Sequence, residues 1–185
     1  MGLDDYKFVN SELLKIALTH PSAATDMQAE SYERMEFLGD SILNASIADI
    51  LYHQFPEYDE GQLSIVLANL VNSKTLAGIA KKLKIVDFIV LNHGEEQIGG
   101  RKNPNNLENA LEAIIGAIYL DSNFMTVRSI IQKWWIHFFE DRNYLFRRDS
   151  KSILQELVQK KYGVLPEYKV EFVSGCPHED RKSVV

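Results

Sequence analysis

The sequence predicts a mainly α fold, with a long helical unit followed by a small unit of helix and then strand. Three observations carry this reading. Apolar residues recur at helical spacing through most of the first 140 positions. Proline and Asx-type residues punctuate that pattern at intervals suited to helices. The one clear alternating stretch, Tyr168, Val170 and Phe172 after Pro166, comes late in the chain.

The elements follow in order. Ser11 is placed to cap a short amphipathic helix carrying Leu13, Leu14, Ala17 and Leu18, which Pro21 ends. A loop over 21–31 leads into a long acidic helix over 32–53, stopping near Pro56. Asp59 and Glu60 open the next helix, where acids suit the positive end of the dipole. Its apolar set is Leu63, Val66, Leu67, Leu70 and Val71, continued by Leu76, Ile79, Ala80 and Leu83. The segment 92–106, rich in Gly and Asn, reads as the clearest loop. A dense apolar helix over 107–121 comes next, then one over 123–140 with Val127, Ile130, Ile131, Trp134, Trp135 and Phe138. Residues 142–148 read as a charged linker, and 150–162 as an amphipathic helix with Ile153, Leu154, Leu157 and Val158 on one face. The expected organisation is thus a helical domain over 1–141, a linker, and a partial α+β domain over 149–185. That second unit falls short of the roughly 40 residues a domain usually needs to hold together. It is expected to be a truncated remnant or to continue in a longer parent protein.

Composition excludes several classes. A hydrophobic fraction of 45% is ordinary for a globular protein. No apolar run reaches transmembrane length and no signal-peptide pattern opens the chain, so no membrane partner and a cytoplasmic setting are expected. Cys176 is the single cysteine, which leaves no intrachain disulfide and no thiolate metal site. The net charge is −6, unevenly spread. From Arg142 onward nine Lys and Arg face six Asp and Glu, whereas the first 141 residues hold eleven against twenty. An acidic body with a basic tail fits an acidic metal site joined to a polyanion-binding segment.

The run ERMEFLGDSIL at 33–43 concentrates the chemistry. Spacings of i, i+3 and i+7 set Glu33, Glu36 and Asp40 on one stripe of a helix, with Met35, Leu38 and Ile42 opposite and able to face a core. Like charges so placed repel, and a hard divalent cation with oxygen ligands would relieve them. An acidic solvated face is the alternative that spacing alone leaves open. Glu112 is embedded in LEAIIGAIYL, with Asn109 one turn earlier. A carboxylate in so much aliphatic surface needs a partner. A metal is one candidate, and a salt bridge to an arginine such as Arg34 is the other. Glu60 is a third acidic candidate, with simple dipole complementarity as its alternative.

Together these strings resemble the ribonuclease III family. ERMEFLGDSIL is close to the family signature. ALTH-S at 17–22, DEGQLS at 59–64, VNSKTLAGIA at 71–80, the Gly94-Glu95 and Gly99-Gly100 loop, and LEAIIGAIYLD at 111–121 follow in family order. After Asp149 the chain is similar to the opening of a double-stranded RNA-binding domain. The resemblance implies a metal-dependent endoribonuclease that hydrolyses double-stranded RNA to 5′-phosphate and 3′-hydroxyl ends, processing rRNA and mRNA precursors. It implies Mg²⁺, with Mn²⁺ as a substitute, and a homodimer with one valley cutting each strand. It assigns Asp40 and Glu112 to catalysis; Glu36, Asn109, Glu112 and Asp40 to the metal; and Glu33 and Glu60 to the acidic valley. Phe37 matches a dimer contact, while Gln155, Glu156 and His178 match RNA-binding positions.

Two departures stand out. Asn109 occupies a position where the family generally has Asp, and Tyr32 replaces the Asn that commonly precedes the signature. An amide carbonyl still ligates Mg²⁺ but brings no charge, so weaker metal binding is expected. Glu108 is the adjacent acid, about 100° away on an ideal helix. The alternative function is a non-catalytic double-stranded RNA-binding or ribosome-associated relative with the same fold. Asn109 and the short tail favour it; the retained Glu36, Asp40 and Glu112 oppose it.

Overall fold

The computed structural model describes residues 5–24, 30–147, 150–166, 169–170 and 183–184. The chain divides into two compact units, Met1–Phe146 and Arg147–Val185. Among the described residues the first unit is helical. Its elements are α1 (Ser11–Ala17), α2 (Glu33–Gln54), α3 (Glu60–Leu70), α4 (Ser73–Lys82), α5 (His93–Gln97), α6 (Pro104–Asp121), α7 (Phe124–Trp134), α8 (Ile136–Glu140) and α9 (Arg142–Leu145). No single helix there is long and apolar enough to cross a membrane.

Helix α6 is the axis of the unit. Every residue from Ala110 to Ile118 is buried, so this helix is covered on all sides, as its unbroken apolar run requires. It packs against α2, α4, α1 and α7. The α2–α6 contact is the most extensive, and two glycines make it close. A methyl group on Gly39 would collide with the Glu112 carbonyl, and one on Gly116 with the Met35 carbonyl. Neither glycine has a left-handed backbone; each is needed because the neighbouring helix leaves no room for a side chain.

Local chemistry sets the helix starts. Asn10, Asn72, Asn92, Asn103 and Asn123 each cap a helix, their side chains accepting from a backbone N–H of the first turn. Asp59 forms a capping box with Gln62. The first helix is therefore capped by Asn10, not by Ser11, which is its first helical residue. Asp121, at the end of α6, accepts from the Tyr6 hydroxyl (2.8 Å) and the Val9 and Asn10 N–H groups (2.8 and 2.9 Å), fastening the N-terminal segment to the central helix.

Several expectations need correction. The segment 92–106 is not a plain loop. It contains α5 and a single 3₁₀ turn at Gly100–Lys102, and α6 begins within it at Pro104. Arg101 folds it inward, donating to Glu96 and to the carbonyls of Val86 and Ile89 (2.9 Å each). The helix after Glu60 breaks at Val71, where Asn72 caps a new one, and the 123–140 helix breaks at Trp135. Residues 142–145, expected in a linker, form α9 and bury Leu145. On α2 the inward stripe runs through Met35, Gly39, Leu43, Ile47 and Ile50, while Leu38 and Ile42 are only half-buried.

The second unit contains α10 (Ser150–Tyr162) and two short antiparallel strands, β1 (Lys169–Val170) and β2 (Ser183–Val184), with Lys169 opposite Val184. Tyr168 and Phe172, expected on the first strand, lie outside the described residues.

The glycine crossing makes a clear prediction. Gly39→Ala should lower the unfolding free energy by about 3 kcal/mol or more through overpacking, measured by urea denaturation. A loss under about 1 kcal/mol would contradict the close approach.

Candidate active site

Three segments converge on one cleft of about 490 Å³, lined by His20, Pro21, Tyr32, Glu33, Glu36, Phe37, Asp40, Asn106, Asn109 and Glu112. The first segment is an extended stub. The Val90 N–H donates to Leu18 O (2.8 Å), the His20 N–H to Val90 O (3.0 Å), and the Tyr32 N–H to Thr19 O (2.9 Å). These bonds bring His20 and Tyr32 together, their rings edge-to-face at 5.6 Å. The second is the start of α2, which supplies Glu33, Glu36, Phe37 and Asp40 from its first two turns. The third is the start of α6, which supplies Asn106, Asn109 and Glu112.

The carboxylates differ in environment. Glu112 is only 8% exposed. Burial, then the charges of Asp40, Glu108 and Glu36, push its pKa up from 4.5 to about 8. Glu36 is also raised, by burial first and then by Glu33, Glu108 and Asp40. Glu108 thus adds its field to both groups without lining the cleft. Asp40 is exposed and oriented by Asn44, whose amide donates to Asp40 Oδ1 at 2.7 Å. Glu33 accepts from the Ser31 hydroxyl at 2.8 Å.

Among the described residues, no Lys, Arg or His forms an ion pair with Glu36, Asp40 or Glu112. The Arg34 alternative for Glu112 is therefore not realised. Arg34 instead lines a neighbouring apolar groove with Leu13, Ile16, Met35, Leu38 and Leu120. Asn106 is buried and has its amide engaged by Glu95 Oε1 and Gly100 O (3.0 Å each), so it braces the 92–103 segment.

The donor set suits a hard divalent cation. The carboxyl groups of Glu36, Asp40 and Glu112 and the amide oxygen of Asn109 would offer only oxygen ligands, and among the described residues those carboxyl groups lack a Lys, Arg or His partner. Among the described residues, no three Asp, Glu, His or Cys side chains are already gathered as a ligand cluster. Few protein ligands, one of them an amide, suit Mg²⁺, which keeps several of its waters.

The other expected residues lie apart. Glu60 is exposed on the first turn of α3, accepting from Ser64 Oγ at 3.1 Å, and does not line the cleft. Phe37 is 79% exposed, where the cleft meets the apolar groove. Gln155 is half-buried on α10, and Glu156 lies on the same helix. His178 lies outside the described residues. Sequence reading gave no role to His20, which the ALTH-S string contained, or to Asn106. Tyr32 appeared only as a departure from the family pattern.

A family model described as Ribonuclease-III-like matches residues 10–138. The chain is 44% identical over 183 residues to Ribonuclease 3 of Rickettsia felis, covering 97% of this chain and 81% of that protein. It is likewise 44% identical over 176 residues to Ribonuclease 3 of Rickettsia prowazekii, covering 94% and 78%. Among solved structures, the nuclease domain of a ribonuclease III from Campylobacter jejuni, described with a region involved in dimer formation, is 40% identical. It has a TM-score of 0.68 and covers 74% of this chain and 93% of that one.

The Glu112 environment predicts a pH-dependent stability. Its folded pKa is raised, so below about 4.5 both folded and unfolded forms are protonated and nothing is lost. Between about 4.5 and 8 the unfolded chain ionises first, and the metal-free fold weakens as pH rises. The slope approaches roughly 1.4 kcal/mol per pH unit. In chelator, Glu112→Gln should therefore be more stable than the parent at pH 8 and equal to it at pH 4. Parallel stability–pH curves for the two proteins would refute this.

Proposed function

The chain belongs to the ribonuclease III family, and on that premise we propose that this cleft is where it hydrolyses the phosphodiesters of double-stranded RNA. The observation that carries the reading is the buried carboxyl group of Glu112, near Glu36 and Asp40 across two packed helices and without a Lys, Arg or His partner among the described residues. An RNA-binding module has no use for such a group, because burying it among Asp40 and Glu36 weakens the fold and offers phosphate no attraction.

In this reading Glu36, Asp40, Glu112 and the Asn109 carbonyl would hold Mg²⁺, with Mn²⁺ as a substitute. When bound, the ion polarises the phosphoryl group and lowers the pKa of water at the scissile phosphate. The chain's own groups do the rest. Asn44 holds Asp40 in one orientation, and the rigid start of α6 presents Glu112 and Asn109 on adjacent turns. Glu33 adds negative potential at the cleft wall, and Glu60 belongs to the more distant acidic surface. Water adds to phosphorus, the P–O3′ bond breaks, and the 3′ oxygen takes a proton. The products are 5′-phosphate and 3′-hydroxyl ends.

Two copies are needed to cut both strands. Exposed Phe37 beside the groove of Leu13, Ile16, Leu38 and Leu120 offers an apolar surface for a second copy. The second unit supplies duplex contacts through Gln155 and Glu156 on α10 and through His178, gripping shape and 2′-hydroxyls rather than sequence. The activity belongs to RNA processing, including rRNA and mRNA precursors, in the cytoplasm.

A long RNA duplex with Mg²⁺ tests the enzyme. The wild type should cut it, and Glu112→Ala should lower the single-turnover rate by roughly 100-fold or more. A wild type and a variant that both shift the duplex on a gel yet leave it intact would establish the non-catalytic alternative instead. For the second copy, Phe37→Glu should raise the dimer dissociation constant by roughly 30-fold or more in analytical ultracentrifugation. An unchanged dimer would place the interface elsewhere.

A further inference from the structure

We propose that His20 is a substrate-contacting residue whose ring Nε2–H donates to a phosphate oxygen of the RNA strand in the cleft. The inference deepens the reading of the cleft given above and rests on it. Its starting point is a tautomer that the backbone dictates. The Ser22 N–H donates to His20 Nδ1 at 3.0 Å. A backbone N–H can only donate, so Nδ1 is an acceptor and carries no hydrogen. The hydrogen of the imidazole therefore resides on Nε2. The Ser22 side chain reinforces this. Its Oγ accepts from the Asn92 N–H at 3.2 Å, which leaves its own hydrogen for Nδ1, 2.9 Å away.

The ring is held as firmly as its tautomer. The His20 N–H donates to Val90 O at 3.0 Å, and the ring meets Tyr32 edge-to-face. Nδ1 faces Ser22, so Nε2 is at the far end of the ring. Among the described residues Nε2 has no hydrogen-bond partner. The polar side-chain atoms buried there without a partner are Ser46 Oγ and Tyr58 Oη, so Nε2 is reachable by solvent. His20 lines the cleft, which thus contains an N–H donor of fixed direction.

The acceptor follows from the rest of the lining. Glu33, Glu36, Asp40 and Glu112 share the cleft, and no Lys or Arg lines it. Asn106 commits its amide to Glu95 Oε1 and Gly100 O. A phosphodiester entering here meets few donors, and a ring N–H bonds an anionic phosphate oxygen more strongly than it bonds a hydroxyl. His20 therefore holds the strand against the repulsion of the carboxylates. A lysine in its place would pair with those carboxylates instead.

The test uses two substitutions that split the ring between them, made in the full chain. Asparagine keeps an acceptor near the place of Nδ1, and glutamine keeps a donor near the place of Nε2. On an RNA duplex of defined cleavage site with Mg²⁺, His20→Asn should lower kcat/KM by roughly tenfold or more, the scale of a hydrogen bond to a charged group. Its urea midpoint should match the parent, because the cap on the Ser22 N–H is kept. His20→Gln should stay within about threefold of the parent kcat/KM, even where it is less stable. The reverse order of activities would show that the ring only caps the turn over 21–23 and overturn the proposal, as would equal effects in the two. Uncharged methylphosphonates, placed one at a time at linkages flanking the scissile bond, locate the contact. At one linkage the change should slow the parent roughly tenfold and His20→Asn by no more than about twofold. If 2′-deoxy nucleotides show that pattern and methylphosphonates do not, the ring bonds a 2′-hydroxyl and the phosphate assignment fails. A wild type that binds the duplex without cutting it would sink the nuclease reading and this proposal together. A wild type that cuts no faster than His20→Asn would sink this proposal alone.

Discussion

The backbone contact between α2 and α6 at Gly39 and Gly116 is the constraint on which everything else in the first unit depends. Each glycine lies against a carbonyl of the other helix, Gly39 on Glu112 and Gly116 on Met35. This reciprocal contact fixes both the separation of the helices and their register. Glu36 and Asp40 flank Gly39 along α2, and Glu112 is the residue that Gly39 touches. The cleft is thus assembled by two rigid helices rather than by loops, which favours precise placement of its groups. A side chain at either glycine would part the helices and separate the carboxylates that the cleft brings together.

That placement has an electrostatic consequence. The same crossing that buries Glu112 sets it beside Asp40, Glu108 and Glu36, and without a cation it holds its proton at neutral pH. The fold therefore bears an electrostatic cost where it is packed most tightly, which a bound cation would relieve. Asn109 moderates both sides of this balance. An uncharged group at that position reduces repulsion in the metal-free protein and also reduces the attraction for the ion.

Much of this was legible in sequence. The acidic helix, the apolar helix carrying Glu112, and α10 follow from periodicity and breakers, and the resemblance, through the 33–43 and 111–121 strings together, singled out Glu36, Asp40 and Glu112. What escaped was tertiary. Nothing in the helical period marks Gly39 and Gly116 as contact points, because a glycine in a helix reads as a weakness until its neighbour is known. The 92–106 segment has loop composition, yet Arg101 and Asn106 tie it into turns through bonds to distant carbonyls. The breaks at Val71 and Trp135 fall inside apolar runs that continue the period on both sides. Glu60 was expected on the acidic valley rather than at the metal, and its helix presents it to solvent outside the cleft lining.

Charge distribution imposes a division of labour. The first 141 residues carry twenty acids against eleven bases, so the nuclease unit as a whole repels a polyanion. Duplex affinity cannot come from the cleft until a divalent cation offsets its carboxylates. It must otherwise come from the basic remainder, where Lys160 and Lys161 close α10. Such contacts are made largely to phosphates and weaken steeply with salt. On the proposed reading, the acidic cleft would hold RNA strongly only once a divalent cation is in place. Binding at the site of chemistry would thereby be coupled to competence for chemistry. Such coupling would be a physical reason for a ribonuclease to keep a carboxylate such as Glu112 buried among like charges rather than paired with an arginine, which would satisfy the fold and leave the cleft inert.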